Sequence, residues 1–117
     1  MKTEWRDAGQ VAILSLKGPF TMDFCLDLQD EFGSWMKKGR RKLALDLSGV
    51  DYMDSSGLAT LVEIVQTARS KEIALRIFGA RGRVVSMMEI TGLHRALPLS
   101  EGEAEALASL EDMGHNA

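Results

Sequence analysis

The sequence has few of the residues on which disulfide or metal chemistry depends. Cys25 is the only cysteine among 117 residues, so the chain cannot form an internal disulfide or a zinc site built on several thiolates. The two histidines, His94 and His115, do not have the spacing of a metal-ligand pair. Walker and dinucleotide-binding loops are also missing. We therefore expect no metal site and no cofactor.

Long apolar runs and a positive charge excess are missing as well. No apolar stretch approaches the roughly 20 residues of a membrane span, and the polar start at residues 1–6 lacks the apolar core of a signal peptide. The net charge of -3 provides no overall positive field for nucleic acid. These features predict a cytoplasmic protein with neither direct membrane insertion nor a nucleic-acid partner.

Length and composition are those of an ordinary globular domain. A chain of 117 residues with 45% apolar and 26% charged side chains fits one compact unit. We expect a single domain over 1–117, with its core at about 3–112 and a frayed tail at 113–117. No exposed apolar stripe stands out in the sequence, so we expect a monomer.

Apolar strand-like segments alternate with amphipathic helical patterns along the chain. Strands are predicted at about 3–6, 11–16, 42–47, 73–78 and 96–99. Helices are predicted at about 23–38, from 56–58 to 70, at 83–91, and from a capping box at 100–103 to about 110. This alternation predicts an α/β fold with a mixed sheet, in which an opening hairpin is followed by βα units. About four to five strands and four helices are expected.

A polar turn between the 42–47 strand and the next helix carries the main chemical signal. It reads Asp54-Ser55-Ser56-Gly57. Ligands of open α/β sheets gather at the carboxyl ends of strands, and the first amides of a helix favour a phosphate. Gly57 has no side chain, so another molecule can approach closely. The pattern therefore indicates a regulatory serine at Ser55 or Ser56.

The same residues also fit a purely structural interpretation. Asp or Ser before an apolar helix is an ordinary N-cap, which contributes about 1 kcal/mol to stability. A serine hydrolase would need His94 beside Ser55 and a Gly-x-Ser-x-Gly turn, which the sequence lacks. A phosphoaspartate receiver would need acids after its first strand and a lysine after a late one, and those strand ends have neither. Capping and a functional serine both stay open on the local pattern.

The stretch Leu45–Leu58, LDLSGVDYMDSSGL, closely resembles the STAS domain, named for sulfate transporters and anti-sigma factor antagonists. The resemblance extends from about Val11 to Leu110. It includes Gly18 after the second strand and the segment Ile90–Leu93 after the third helix. In antagonists of this type the phosphoserine is the first hydroxyl after the Asp, which here is Ser55.

The resemblance implies a phosphorylation switch without enzymatic activity of its own. The unphosphorylated antagonist binds an anti-sigma factor that is also a serine kinase, and so releases a sigma factor for transcription. Phosphorylation of Ser55 by that kinase ends the contact, and a serine phosphatase restores it. Asp54, Ser56 and Gly57 would surround the phosphorylation site, together with Thr21 and Asp23 from the preceding loop and helix.

One loop departs from the antagonist pattern. Such antagonists often carry Gly-Glu-Leu-Asp after the second strand, whereas this chain has Gly18-Pro-Phe-Thr21. Thr21 therefore stands where an acid is usual, which leaves open whether the partner is an active kinase. The alternative function is a constitutive STAS subunit of a lipid-transport ATPase complex or of a signalling scaffold, not switched at Ser55.

A basic run, Lys37–Lys42, is the strongest charge cluster of the sequence. A solvated helix end followed by a turn explains it most simply, because cations stabilise helix C-termini. A contact with an acidic partner is the other interpretation. No aromatic residues are interleaved with the run, which argues against single-stranded nucleic acid as its ligand.

Overall fold

Five strands and four α-helices make up the computed structural model, which describes residues 2–113. The strands are β1 (Lys2–Ala8), β2 (Val11–Lys17), β3 (Lys42–Gly49), β4 (Ala74–Phe78) and β5 (Leu99–Ser100). The helices are α1 (Met22–Lys37), α2 (Ser55–Ser70), α3 (Gly82–Ile90) and α4 (Glu103–Met113), with a short 3₁₀ turn at Leu93–Arg95.

The strands form one mixed sheet in the order β1-β2-β3-β4-β5. β1 and β2 are an antiparallel hairpin that pairs Trp5 with Leu14, and the later neighbours are parallel. Parallel neighbours require crossover connections, which α1, α2 and α3 provide. The predicted α/β fold with an opening hairpin and four to five strands is confirmed.

Helices cover both faces of the sheet, which explains the mainly apolar sequences of β2 and β3. Alternate residues of β2 point to opposite faces. Leu14 and Leu16 share a buried cluster with residues of α1, α2 and α3. Val11 and Ile13 instead join a second cluster with residues of α4. Strands buried on both faces read as unbroken hydrophobic segments.

The apolar stripe of α1 differs slightly from the predicted one. Its buried residues are Phe24, Leu28, Phe32 and Trp35, so Phe24 takes the position that the spacing gave to Cys25. Both spacings place four residues along one side of a helix. Cys25 lies at the edge of that stripe and is half-buried.

The carboxyl-terminal elements correct two details of the prediction. The last strand comprises only Leu99–Ser100, because Pro98 cannot donate to a strand ladder. The predicted capping box at 100–103 does not form as expected. The Ser100 hydroxyl accepts a hydrogen bond from Arg76, and the Glu105 carboxylate accepts from the amide of Glu101. α4 extends to Met113, and the rest of the predicted tail, 114–117, lies outside the described residues.

An ion pair ties the opening hairpin to α4. The guanidinium of Arg6 on β1 donates to both carboxylate oxygens of Glu103 at the start of α4. This hydrogen bond raises the pKa of Arg6 above its ordinary value. Both side chains are exposed, so the pair contributes little to stability.

No helix within 2–113 is both long and apolar enough to cross a membrane.

Candidate phosphorylation and partner-binding site

The turn after β3 places Ser55 at the first helical position of α2. Asp54 is the N-cap, and its carboxylate accepts a hydrogen bond from the amide of Gly57 at 2.9 Å. The carbonyl of Asp54 accepts the first helical bond, from Leu58 at 3.1 Å. Because the Asp54 carboxylate caps the helix, α2 begins at Ser55, earlier than the predicted start at 56–58.

The two adjacent serines differ in exposure. Ser55 is exposed, whereas Ser56 is half-buried. No hydrogen bond of the Ser55 hydroxyl occurs within the described part of the chain. Asp54 performs the capping, so the structural interpretation of the turn applies to Asp54. The Ser55 hydroxyl is left accessible to solvent and to another molecule.

A second loop fixes the position of this turn. Phe20 follows β2 and is fully buried. Its amide donates to the carbonyl of Tyr52 at 2.8 Å, and its carbonyl accepts from the amide of Asp54 at 3.2 Å. Phe20 also forms an isolated parallel bridge with Met53. The backbone just before Ser55 is therefore held to the Phe20 loop by the kind of hydrogen bonds that join two strands of a sheet.

Gly57 makes this close approach possible. A Cβ atom at position 57 would lie 2.6 Å from the carbonyl oxygen of Phe20, and 2.9 Å from side-chain atoms of Phe20 and Met53. These distances are shorter than van der Waals contact, and the nearest atom belongs to the backbone. The sequence predicts that another molecule approaches closely at Gly57. Gly57 is instead buried, and its close neighbour is the chain's own Phe20 loop.

The predicted neighbours Thr21 and Asp23 have different relations to the turn. Thr21 is the half-buried N-cap of α1 and makes no side-chain capping bond. Its carbonyl oxygen lies 3.4 Å from the thiol of Cys25, and that thiol also lies 3.4 Å from the carbonyl oxygen of Ser56. Asp23 is exposed in the first turn of α1 and forms no ion pair or hydrogen bond with the Ser55 turn in the described structure.

The contacts that hold α1 against this turn were not predicted from the sequence. The amide of Met22 lies 3.4 Å from the carboxylate of Asp54, which supplements the Phe20 and Cys25 contacts. The sequence signal for Phe20 was its place after Gly18-Pro19. A lone cysteine in an apolar helix gave no sign that its thiol would face the carbonyl of Ser56.

The surface around Ser55 is acidic. Asp51 and Asp23 are exposed and Asp54 is half-buried. None of the ion pairs formed by the described residues involves these three carboxylates. A phosphate on Ser55 would add about -1.5 to -2 charges next to Asp54. The helix dipole would offset only about 0.3–1 kcal/mol of that repulsion.

Three large apolar side chains are exposed at the same end of the molecule. Met22 and Leu26 lie one turn apart on α1 and are 68% and 71% exposed. Tyr52, in the turn before Ser55, is 43% exposed. We call Met22, Leu26 and Tyr52 the apolar rim. Exposed apolar groups clustered beside a polar centre are typical of interaction surfaces.

The remaining candidates lie away from this turn or have structural contacts. Lys42 begins β3, whereas Ser55 follows its end. The basic run therefore lies at the opposite end of this strand from Ser55. Within the run, Arg40 pairs with Asp7 at 3.1 Å, and Arg41 donates to the carbonyl of Lys71. His94 Nδ1 lies 3.3 Å from the carbonyl oxygen of Met88. No group of three His, Cys, Asp or Glu side chains in the described residues is arranged to hold a metal ion.

A family model described as the STAS domain matches residues 3–106. The chain belongs to the STAS domain family. The resemblance seen at Leu45–Leu58 is thereby confirmed. This STAS domain is 36% identical over 63 residues to the anti-sigma-B factor antagonist of Listeria monocytogenes, an alignment that covers 54% of this chain and 55% of the relative. The chain thus spans about half the length of that relative.

Solved structures show the same fold. An anti-sigma factor antagonist from Mycobacterium paratuberculosis is 25% identical, with a TM-score of 0.77 over 94% of this STAS domain and 93% of that chain. The anti-sigma factor antagonist SpoIIAA in its unphosphorylated form is 9% identical, with a TM-score of 0.70 over 92% of this domain and 96% of that chain. The second likeness concerns the fold alone. The relatives named here are regulatory proteins.

Proposed function

We propose that this STAS domain is a cytoplasmic anti-sigma factor antagonist switched by phosphorylation of Ser55. Without phosphate it binds an anti-sigma factor with serine kinase activity and frees a sigma factor for transcription. The kinase transfers the γ-phosphoryl group of ATP to the Ser55 oxygen, releasing ADP and a proton, and a serine phosphatase removes the phosphate again. The domain is the substrate of both enzymes and catalyses neither step.

The observation that carries the proposal is the exposed hydroxyl of Ser55 at the start of α2, which makes no hydrogen bond to residues 2–113. Asp54 caps the helix in its place, so Ser55 can be modified without loss of the cap. The Phe20 loop holds the turn rigidly, so the hydroxyl is presented in a fixed position. The relatives named above are antagonists, and SpoIIAA is described in a form without phosphate.

The effect of the phosphate is expected on the contact with the partner and not on the fold. A hydroxyl that receives a phosphoryl group must lie next to the bound nucleotide. A phosphate on Ser55 would then stand against the nucleotide phosphates, and like charges at such distances repel strongly away from water. It would also have to be desolvated beside the apolar rim. Both effects favour dissociation.

Phosphate transfer is tested with a serine-kinase anti-sigma factor encoded in the same genome. The kinase and ATP are mixed with the domain, and the modified residue is located by mass spectrometry. We expect one phosphate, on Ser55, because Ser56 is less exposed. Ser55→Ala should abolish labelling and Ser56→Ala should keep it. Labelling of Ser56 alone, or binding that proceeds normally without labelling, would favour the constitutive STAS subunit instead.

The apolar rim gives a second prediction. Leu26→Asp places a charge in the surface proposed to be buried by the partner, and should weaken binding about tenfold to a hundredfold, or roughly 1.4–2.8 kcal/mol. Affinity is measured by calorimetry with the unphosphorylated domain. Thr21, Asp23 and Asp54 lie on the same side and would border this interface.

Ile90→Asp is the matched control for the apolar rim. Ile90 is 86% exposed, but it ends α3, which starts at the carboxyl edge of the sheet and runs back away from it. The same apolar-to-charged change there should leave the affinity within about twofold, or roughly 0.4 kcal/mol. Equal losses in the two variants would place the interface elsewhere.

A further inference from the structure

A cavity of about 440 Å³ lies between the opening hairpin and the second half of α1, away from Ser55. Its size is within the range of small-ligand sites. Trp5 and Asp7 on β1 face Ser34 and Trp35 on α1 across it, and Ala12 on β2 also lines it. Ala12 and Ser34 have small side chains, which leaves the space unfilled.

Trp35, which lines the cavity, has a buried donor without an acceptor among residues 2–113. Trp35 is 4% exposed, and its indole nitrogen has no hydrogen-bond partner among the described residues. An indole N–H can only donate. The indole of Trp5, by contrast, donates to the Glu31 carboxylate at 3.0 Å. A buried donor left unpaired is unfavourable, so an acceptor atom bound beside Trp35 would satisfy it.

The cavity is also polarised along α1. Asp30, Ser34 and Lys38 line it at intervals of four residues, which places them in one row on the helix surface. Asp30 and Lys38 are about 12 Å apart along the helix axis. Neither side chain takes part in a hydrogen bond or ion pair of the described residues. Glu31 lies at the Asp30 end, and Arg40 follows Lys38 at the other end.

Two stacked tryptophan rings, Trp5 and Trp35, also line the cavity. Trp5 stacks on Trp35 with ring centroids 6.3 Å apart and ring planes 16° apart, and Trp35 stacks on Phe32 in turn. Trp5 is 37% exposed and lines the cavity, so part of its indole is accessible there. Aromatic faces next to carboxylates are the usual surroundings of an alkylated ammonium group.

We propose that this cavity binds a small zwitterion with an alkylated ammonium group at one end and a carboxylate at the other. The ammonium group lies against Trp5 near Asp30 and Glu31. The carboxylate faces Lys38 and accepts the hydrogen bond of the Trp35 indole. Because that nitrogen is buried, a side-chain movement at the cavity wall accompanies binding. This proposal does not depend on Ser55.

The test uses the full ¹⁵N-labelled chain and glycine betaine. The sequence has only two tryptophans, Trp5 and Trp35, so two indole resonances report directly on the cavity. We expect a saturable downfield shift of the Trp35 indole proton, with a dissociation constant below about 10 mM. Choline carries only the cationic half, and pivalate only the anionic half with a similar hydrocarbon head. Each should bind at least about tenfold more weakly.

Substitutions of exposed residues distinguish binding in the cavity from a general effect of betaine on the protein. Asp30→Asn and Lys38→Gln should each weaken betaine binding about fivefold or more, and Ser34→Leu should abolish it by filling the cavity. Lys37→Gln, a charge change next to Lys38 but outside the lining, is the matched control and should change nothing. No saturable shift, an undiminished response in Ser34→Leu, or equally tight binding of choline would overturn the proposal.

Discussion

Ser55→Asp is expected to lower the affinity of the domain for its anti-sigma factor by about a hundredfold or more, or roughly 2.8 kcal/mol. The carboxylate imitates part of the charge of a phosphate, next to Asp54 and at the border of the apolar rim. The partner would have to bury this charge where it now meets a neutral hydroxyl. The affinity is measured by calorimetry, with folding confirmed by circular dichroism.

The controls for this prediction separate charge from the loss of serine. Ser55→Ala removes the hydroxyl without adding charge and should bind within about threefold of the unmodified domain. Ser70→Asp makes the same chemical change at an exposed serine at the other end of α2, more than about 20 Å away along the helix. It should leave the affinity unchanged. Tight binding of Ser55→Asp would mean that charge at this position does not control the contact.

Gly57→Ala is expected to destabilise the fold by about 2 kcal/mol or more, although alanine is the better helix former. The added Cβ would lie 2.6 Å from the carbonyl oxygen of Phe20. That carbonyl accepts from the amide of Asp54, and Phe20 itself is fully buried. The clash therefore cannot be relieved by turning a flexible side chain. Urea unfolding of the two proteins gives the difference in the free energy of unfolding.

Gly33→Ala is the matched control within the same molecule. Gly33 is also inside a helix, α1, and a Cβ atom there would meet nothing within 4 Å. This change should stabilise the fold by about 0.5–1 kcal/mol through helix propensity alone. Opposite signs for the two glycines would identify the Phe20 contact as the cause. A stabilised Gly57→Ala would show that the Phe20 loop yields easily, and the rigid presentation of Ser55 would then be wrong.

The alternation of strands and helices could be predicted because the sheet is buried on both faces. Mainly apolar segments such as 11–16 and 42–47 stand out clearly between amphipathic helices. Element ends were less predictable, since they depend on single contacts. The start of α2 shifted to Ser55 because the Asp54 carboxylate reaches the amide of Gly57. The last strand shrank to two residues after Pro98.

The candidate site was predictable as a position in sequence but not as an assembly in space. Asp54, Ser55, Ser56 and Gly57 are consecutive, so the turn that they form follows from local pattern. The Phe20 loop joins them through backbone hydrogen bonds across more than 30 residues. Such bonds cannot be predicted from a pattern of side chains. The apolar rim was missed for a related reason. Leu26 lies in the predicted helix and Met22 directly before it, and only the packing of α1 shows that they face outward.

The most direct test measures the affinity of the anti-sigma factor for the domain before and after stoichiometric phosphorylation of Ser55. Calorimetry is run on the two forms in the presence of ADP and Mg²⁺, and phosphatase treatment then regenerates the first form. We expect tight binding without phosphate, a loss of about a hundredfold or more with it, and full recovery after dephosphorylation. Equal affinity of the two forms would contradict a switch at Ser55.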